Sequence, residues 1–334
     1  MAFRRVALLA LLTASLAACK KSDSSTTDTV GNWVTASDFE GSRRSEAVAV
    51  VTASKVYVTG GYDGTSRLND LWEYDPSLDF WKKKTAFPGV ARNSGIGFNA
   101  NGKVYVGLGY DGVNYLNDLW EYDPATDVWT QKASFPGSAR LGAVAFGIDN
   151  LGYVCAGDDG SNYLKDFWQY NPATNTWAQK VSPGGSKRNE AVVFVIDKTA
   201  YLVTGVNNGS NVNDMYAYNA ATETWTEKRK ISNVSDDSYD DNYNIIRNNA
   251  VAFAMNGKGY VTTGSNSGYT NTTWEYDPAT DVWTQKTDYE GTAREGAIGF
   301  SINNRGFVGL GRSSTLPFDN IKEFKPNDEY NSAD

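Results

Sequence analysis

The 334-residue chain contains no histidine at all. That absence removes histidine-based triads, histidine metal sites and imidazole acid–base catalysis together. Cysteine is nearly as scarce, with only Cys19 and Cys155. Cys155 lies in the apolar run Tyr153-Val-Cys-Ala156 and reads as a small buried hydrophobe. A basic excess is also missing: 31 lysines and arginines face 39 acids, for a formal charge of -8. Residues 1–18 carry two arginines and no acid, so the remainder stands at -10. Such an acidic balance argues against a nucleic-acid partner. No apolar run is long enough to span a bilayer unaided, and the one from Val6 is too short.

What the N-terminus does contain is Arg4-Arg5, that apolar run, and then Leu16-Ala-Ala-Cys19. Charged, apolar and small-residue regions in this order form a signal peptide over residues 1–18. Leu-Ala-Ala-Cys resembles the lipobox of bacterial lipoproteins, which implies lipidation of Cys19 as the mature N-terminus. Membrane contact is then expected through the acyl chains alone, each buried CH₂ contributing roughly 0.8 kcal/mol. It also leaves Cys155 without a disulfide partner in the mature chain. The polar stretch over residues 19–31 reads as a flexible tether.

The rest of the chain is organised by a phrase, Leu116-Asn-Asp-Leu-Trp-Glu-Tyr-Asp-Pro-Ala-Thr-Asp-Val-Trp129, which returns with small edits. Trp72, Trp120, Trp168, Tyr216 and Trp274 each precede a second tryptophan by nine residues. The Asp-Pro-Ala-Thr-Asp between them is turn chemistry, so each copy is a hairpin of two aromatic-rich strands. Arginines recur in phase at 44, 92, 140, 188, 247 and 294, each followed seventeen residues later by a glycine. Two apolar strands fit between arginine and glycine. Four strands in about 48 residues is the arithmetic of a propeller blade.

Small residues three and five places after the arginines, such as Ala47 and Ala49 or Gly95 and Gly97, suit an innermost strand on a narrow axis. Val50, Phe98, Phe146, Phe194, Phe253 and Phe300 follow and are expected to pack between neighbouring blades. The sixth unit ends without its closing tryptophan, while Trp33 precedes Arg44 by the eleven residues that separate Trp81 from Arg92. The N-terminal strand is therefore expected to complete the sixth blade and remove an exposed edge. The fold class is all-β: a six-bladed propeller over residues 32–328, with 329–334 as a C-terminal tail.

Glycine closing the second strand, Trp-Glu-Tyr-Asp-Pro, a second tryptophan nine residues on and an arginine between units resemble Kelch repeats. The glycine pair of that pattern is intact only at Gly60-Gly61, with Leu108, Ala156, Thr204, Thr263 and Leu310 standing first elsewhere. The resemblance implies a ligand face formed by the loops between blades and between second and third strands. That face carries the six arginines together with Tyr62, Tyr110, Tyr115, Tyr163 and Tyr269. It also carries an eleven-residue insertion in blade four's exit loop, with Tyr239 and Tyr243 in the acidic run 236–244. Insertions on rigid scaffolds are often functional, and a solvated loop or a Ca²⁺-binding loop are the other readings. The arginines admit two roles: pairing with a carboxylate or carbonyl of an adjacent blade, or a guanidinium ring that grips a carboxylate-bearing ligand.

Glu46, Glu190 and Glu295 lie one or two residues beyond three of the arginines and do not repeat in every blade. Secreted Kelch propellers include sialic-acid mutarotases that use a glutamate and arginines, so these three are the catalytic candidates if the protein is an enzyme. Copper chemistry of the galactose-oxidase kind needs histidine and is set aside. The run Gly107-Leu-Gly-Tyr-Asp-Gly112 spells GxGxxG, but a strand follows it and no helix. The leading expectation is a monomeric, non-catalytic module, without metal or cofactor, that binds a protein or glycan at the bacterial cell envelope. The alternative is a mutarotase or epimerase for an acidic sugar such as a sialic acid.

Overall fold

The computed structural model describes residues 30–333. The expected signal peptide, Cys19 and most of the expected tether lie outside them. No helix among the described residues is long and apolar enough to cross a membrane.

Six four-stranded antiparallel sheets form the blades of a propeller. The second is representative: Ile96–Ala100, Lys103–Gly107, Leu119–Asp123 and Val128–Lys132 run outward from the axis in chain order. Apolar alternation places its inner strands in the core, with Val104, Tyr105 and Val106 all buried. The outer hairpin closes through the expected turn chemistry. Asp123 accepts the N–H of Ala125, and the Tyr122 hydroxyl donates to Asp127, which sits at φ 57°. The sixth blade is closed by the other end of the chain. Asn32–Thr35 pairs antiparallel with Ile321–Lys325, with Trp33 opposite Phe324. Trp33 is fully buried, and its indole donates to the carbonyl of Thr287. Trp129, Trp177 and Trp225 make the equivalent bond to the connection before their own blades. The borrowed strand thus makes the indole bond of three internal ones and pairs residue for residue with Lys322 to Lys325.

Packing between blades follows the small-then-large pattern of the inner strands. Phe98 stacks on Tyr105 of its own sheet and meets Tyr170 of the next. A Cβ on Gly152 would come within 2.2 Å of that ring, which explains the glycine at the centre of the third blade. The small residues line the axial channel, including Ala49, Gly97 and Ala252.

The six arginines form a buried layer at one end of the blades, each no more than 1% exposed. Arg44, Arg92 and Arg140 grip Asp70, Asp118 and Asp166 with both terminal nitrogens. Arg188 reaches Asp214, Arg247 the hydroxyl and carbonyl of Thr272, and Arg294 the amide oxygen of Asn320. Each also donates to the carbonyl at the first position of the glycine pair, from Gly60 to Leu310. Those five non-glycine residues hold φ between 53° and 66°, the left-handed region that turns their carbonyls toward the guanidinium. The glycine that follows is invariant for a different reason: at Gly61, φ is 98° and a Cβ would lie 2.8 Å from the Ser45 carbonyl. Its N–H donates to the carbonyl of Arg92, so the layer links each blade to the next.

Candidate functional site

The buried, internally bonded arginines are architecture, which corrects their place among the ligand-binding candidates. Arg44, Arg92, Arg140, Arg188, Arg247 and Arg294 have no face open to a ligand. Two residues beyond each one, however, the chain forms a ring around the axis. Glu46, Ser94, Gly142, Glu190, Asn249 and Gly296 all sit at φ between 49° and 62°. In that conformation each N–H donates to the carbonyl of the preceding blade's ring residue. Glu46 bonds Gly296 at 2.6 Å, and the other five bonds run from 3.0 to 3.1 Å. The six form a closed hydrogen-bonded circle. Left-handed glutamate is strained by roughly 1–3 kcal/mol, so two of them here mark a constrained position.

Above the ring the six-fold pattern breaks. The residue after each arginine pairs with the residue after each glycine: Ser45 with Tyr62, Asn93 with Tyr110, Leu141 with Asp158, Asn189 with Val206, Asn248 with Ser265 and Glu295 with Arg312. Only the last joins two charged side chains. Arg312 places Nη1 2.8 Å from Glu46 and donates to Glu295 from Nε at 3.2 Å and Nη2 at 3.0 Å. Glu46 in turn accepts the Asn93 amide and the Ser94 hydroxyl. Asn93 accepts Nε of Arg67 at 2.6 Å, and that guanidinium packs between the rings of Tyr62 and Tyr110. One polar chain thus runs Arg67–Asn93–Glu46–Arg312–Glu295 across blades one, two and six.

Glu190 stands on the same ring with its carboxyl pushed up to about 7. Burial is the main cause, and the charges of Glu46 and Glu295 add to it, against a hydrogen bond from Asn249 and the charge of Arg312. Glu46 and Glu190 line a recess of about 160 Å³ over the ring. Glu295 and Arg312 open instead into a cleft of about 450 Å³ with Ser45, Tyr62, Tyr269 and the turn Ser314-Thr315.

Of the tyrosine candidates, Tyr62 and Tyr269 line this cleft. Tyr110 and Tyr115 lie one blade further round, their rings 5.4 Å apart. Tyr163 is half-buried, with its backbone paired to Asp158. The insertion is placed differently from expectation. Tyr243 is a core residue: it is buried against Trp274, and its oxygen accepts the backbone N–H of Trp283. It shares a core cluster with Ile231, whose N–H bonds the Asn213 carbonyl as those of Phe39, Phe87, Phe135 and Tyr289 bond Asp319, Asn69, Asn117 and Asn271. Tyr239 stacks under Arg229 on the outer side of blade five. Asp240 is buried as an acceptor for Val234 N–H, Ser235 N–H and the Ser235 hydroxyl, so the acidic run ties its own loop together. Among the described residues no group of three or more acids and cysteines could hold a metal ion.

Sequence reasoning missed Arg312, Ser45 and Asn93. Their signal is positional: the residue after each unit glycine reads Tyr, Tyr, Asp, Val, Ser and Arg, with a cation only in the sixth unit.

The blade sheets and the arginine–glycine frame define a six-bladed β-propeller built from one repeated unit. Residues 23–138 match the KLHDC2/KLHL20/DRC7 Kelch-repeats domain and residues 139–183 match the Kelch motif. The chain is a Kelch-repeat β-propeller. Among solved structures it is similar to that of YjhT, with a TM-score of 0.72 and 14% identity. That alignment covers 85% of this chain and 95% of the other. No curated protein sequence matches it.

Proposed function

We propose that this propeller is a non-catalytic binding module that holds a protein or glycan on the face above the arginine layer. One observation carries the reading. The arginine side chains repeated six times at this end of the blades are buried and bonded within the frame, whereas irregular side chains gather round an open cleft. Concave sites with a few convergent polar groups are the usual form of a binding pocket. The lipobox-like Leu16-Ala-Ala-Cys19 supports a tether to the bacterial envelope. The test is capture of partners by the full chain from envelope extract and on a glycan array, against a Tyr110→Ala/Tyr163→Ala variant. Loss of capture is expected, and undiminished capture sinks the assignment of this face. Fractionation of Cys19→Ala tests the tether, which is wrong if the variant stays with membranes and the wild type carries no lipid mass.

A second reading, a mutarotase or epimerase for an acidic sugar, is supported by Glu190. A carboxyl held near 7 is matched to proton transfer at neutral pH. Exchange of sugar anomers followed by NMR decides it: Glu190→Gln abolishes catalysed exchange if the reading is right, and no exchange by the wild type rejects it.

A further inference from the structure

The cleft beside blades five, six and one holds more hydrogen-bonding capacity than the protein itself uses. Ser45 is only 1% exposed, yet its hydroxyl has no partner among the described residues. Glu295 accepts both Arg312 bonds on Oε1 and none on Oε2. The Tyr269 oxygen accepts the N–H of Ser314, which leaves its own O–H free to donate. The hydroxyls of Ser314 and Thr315 border the same space. Buried polar groups are normally satisfied, and among the unsatisfied ones of the described residues the Ser45 hydroxyl is the one that lines this cleft, where a ligand can supply its partner.

Charge narrows what that partner can be. Among the described residues Arg312 is the only cation lining the cleft, and two carboxylates already flank it. Arg67, the next guanidinium, is packed between two tyrosine rings and bonded to Asn93. Glu46, Glu190 and Glu295 act on Arg312, Asp111 acts on Arg67, and Asp158 and Asp159 stand on the next loop. A ligand carboxylate entering here must displace Glu46 or Glu295 from Arg312 or lie against them. Like charges brought that close repel strongly at the reduced dielectric of a protein surface. A hydroxyl meets neither penalty. It can donate to Glu295 Oε2 and accept from Ser45, from Tyr269 or from an unused N–H of Arg312. The rings of Tyr62 and Tyr269 supply apolar faces for the C–H side of a sugar.

We propose that this cleft binds the terminal residue of an uncharged, hydroxyl-rich saccharide and discriminates against acidic sugars. The inference rests on the loop face being the binding face; it favours the glycan over the protein ligand and weighs against the acidic-sugar reading.

The test uses the purified full chain on an array that pairs neutral oligosaccharides with the same structures ended by sialic acid or a uronic acid. Retention on the neutral members, at least tenfold above their acidic pairs, is expected. Glu295→Gln and Ser45→Ala are each expected to lower that retention at least threefold, with unchanged melting temperature. Glu46→Gln with Glu295→Gln, which frees Arg312, is expected to raise retention on the acidic members. Preference for the acidic members by the wild type overturns the inference, as does neutral retention that Glu295→Gln and Ser45→Ala leave untouched. Retention of no glycan in either set also overturns it, while the protein-binding form of the proposed function still stands. That form falls separately, if the Tyr110→Ala/Tyr163→Ala variant captures its protein partners as the wild type does.

Discussion

Two layers at the same end of the propeller, two residues apart in sequence, follow opposite rules. In the arginine layer all six positions carry the same side chain, buried and bonded to the same carbonyl. In the ring above it the backbone is just as regular, but the side chains are two glutamates, a serine, an asparagine and two glycines. A group needed once per blade serves the blade. Where the backbone repeats and the side chains do not, the side chains are free to serve something else. The lower layer also has its own gradient: four arginines meet aspartate, while Arg247 meets only Thr272 and Arg294 only Asn320. Without an adjacent carboxylate, burial pushes Arg247 down to about 10.

The sharpest break in this comparison is Arg140→Ala. It leaves Asp166 without its charge partner and two carbonyls without donors, so a loss of about 3–5 kcal/mol in urea unfolding is expected. Trp33→Ala tests closure on a similar scale, about 3–5 kcal/mol for a fully buried indole. Deletion of residues 19–40 is expected to lower the melting temperature far more than deletion of 19–29, and equal values reject the borrowed strand.

Acid and base separate the two layers next. Burial pushes Asp70, Asp118 and Asp166 up, but bonds from their arginines and from Trp72, Trp120 and Trp168 outweigh it, so all three lie below the usual value of 3.8. A carboxyl depressed in the folded state stabilises above its unfolded value, and this is lost as pH falls through the folded one. Stability from the lower layer is therefore expected to hold at neutral pH and fail below about 3.8. Glu190 has the opposite sign. Raised from 4.5 to about 7, it stabilises below 4.5 and loses that contribution as pH rises through about 7. Glu190→Gln is expected to flatten this alkaline slope in thermal melts from pH 4 to 8, by no more than about 3 kcal/mol. An unchanged slope contradicts the placement of that carboxyl. The smallest effect belongs to Tyr110→Ala and Tyr163→Ala, each expected to move stability by only about ±0.5 kcal/mol.

The fold was legible because its signals are periodic. Arginine, glycine and paired tryptophans keep phase through six units, and the interval from Trp33 to Arg44 places the closing strand. The arginines' partners were equally periodic, since Asp70, Asp118, Asp166, Asp214 and Asn320 each stand 26 residues after theirs. That interval decides between the two roles the arginines admitted. Tyr243 misled because the insertion that carries it folds back into the core: Ile231, six residues after Trp225 as Phe87 is after Trp81, keeps the repeated position, and Tyr243 is added beside it. The cleft was not legible, because Glu46, Glu295 and Arg312 meet only when the sixth blade closes against the first.

The division between the layers is tested most directly by unfolding free energies of two variants measured side by side in urea. Arg140→Met breaks one unit of the buried layer. Glu46→Gln, Glu295→Gln and Arg312→Met together remove the upper charge cluster as a whole, so that no charge is left without its partner. The first is expected to lose about 3–5 kcal/mol and the second no more than about 1 kcal/mol. Equal losses would contradict the claim that the lower layer builds the propeller and the upper one is free to bind.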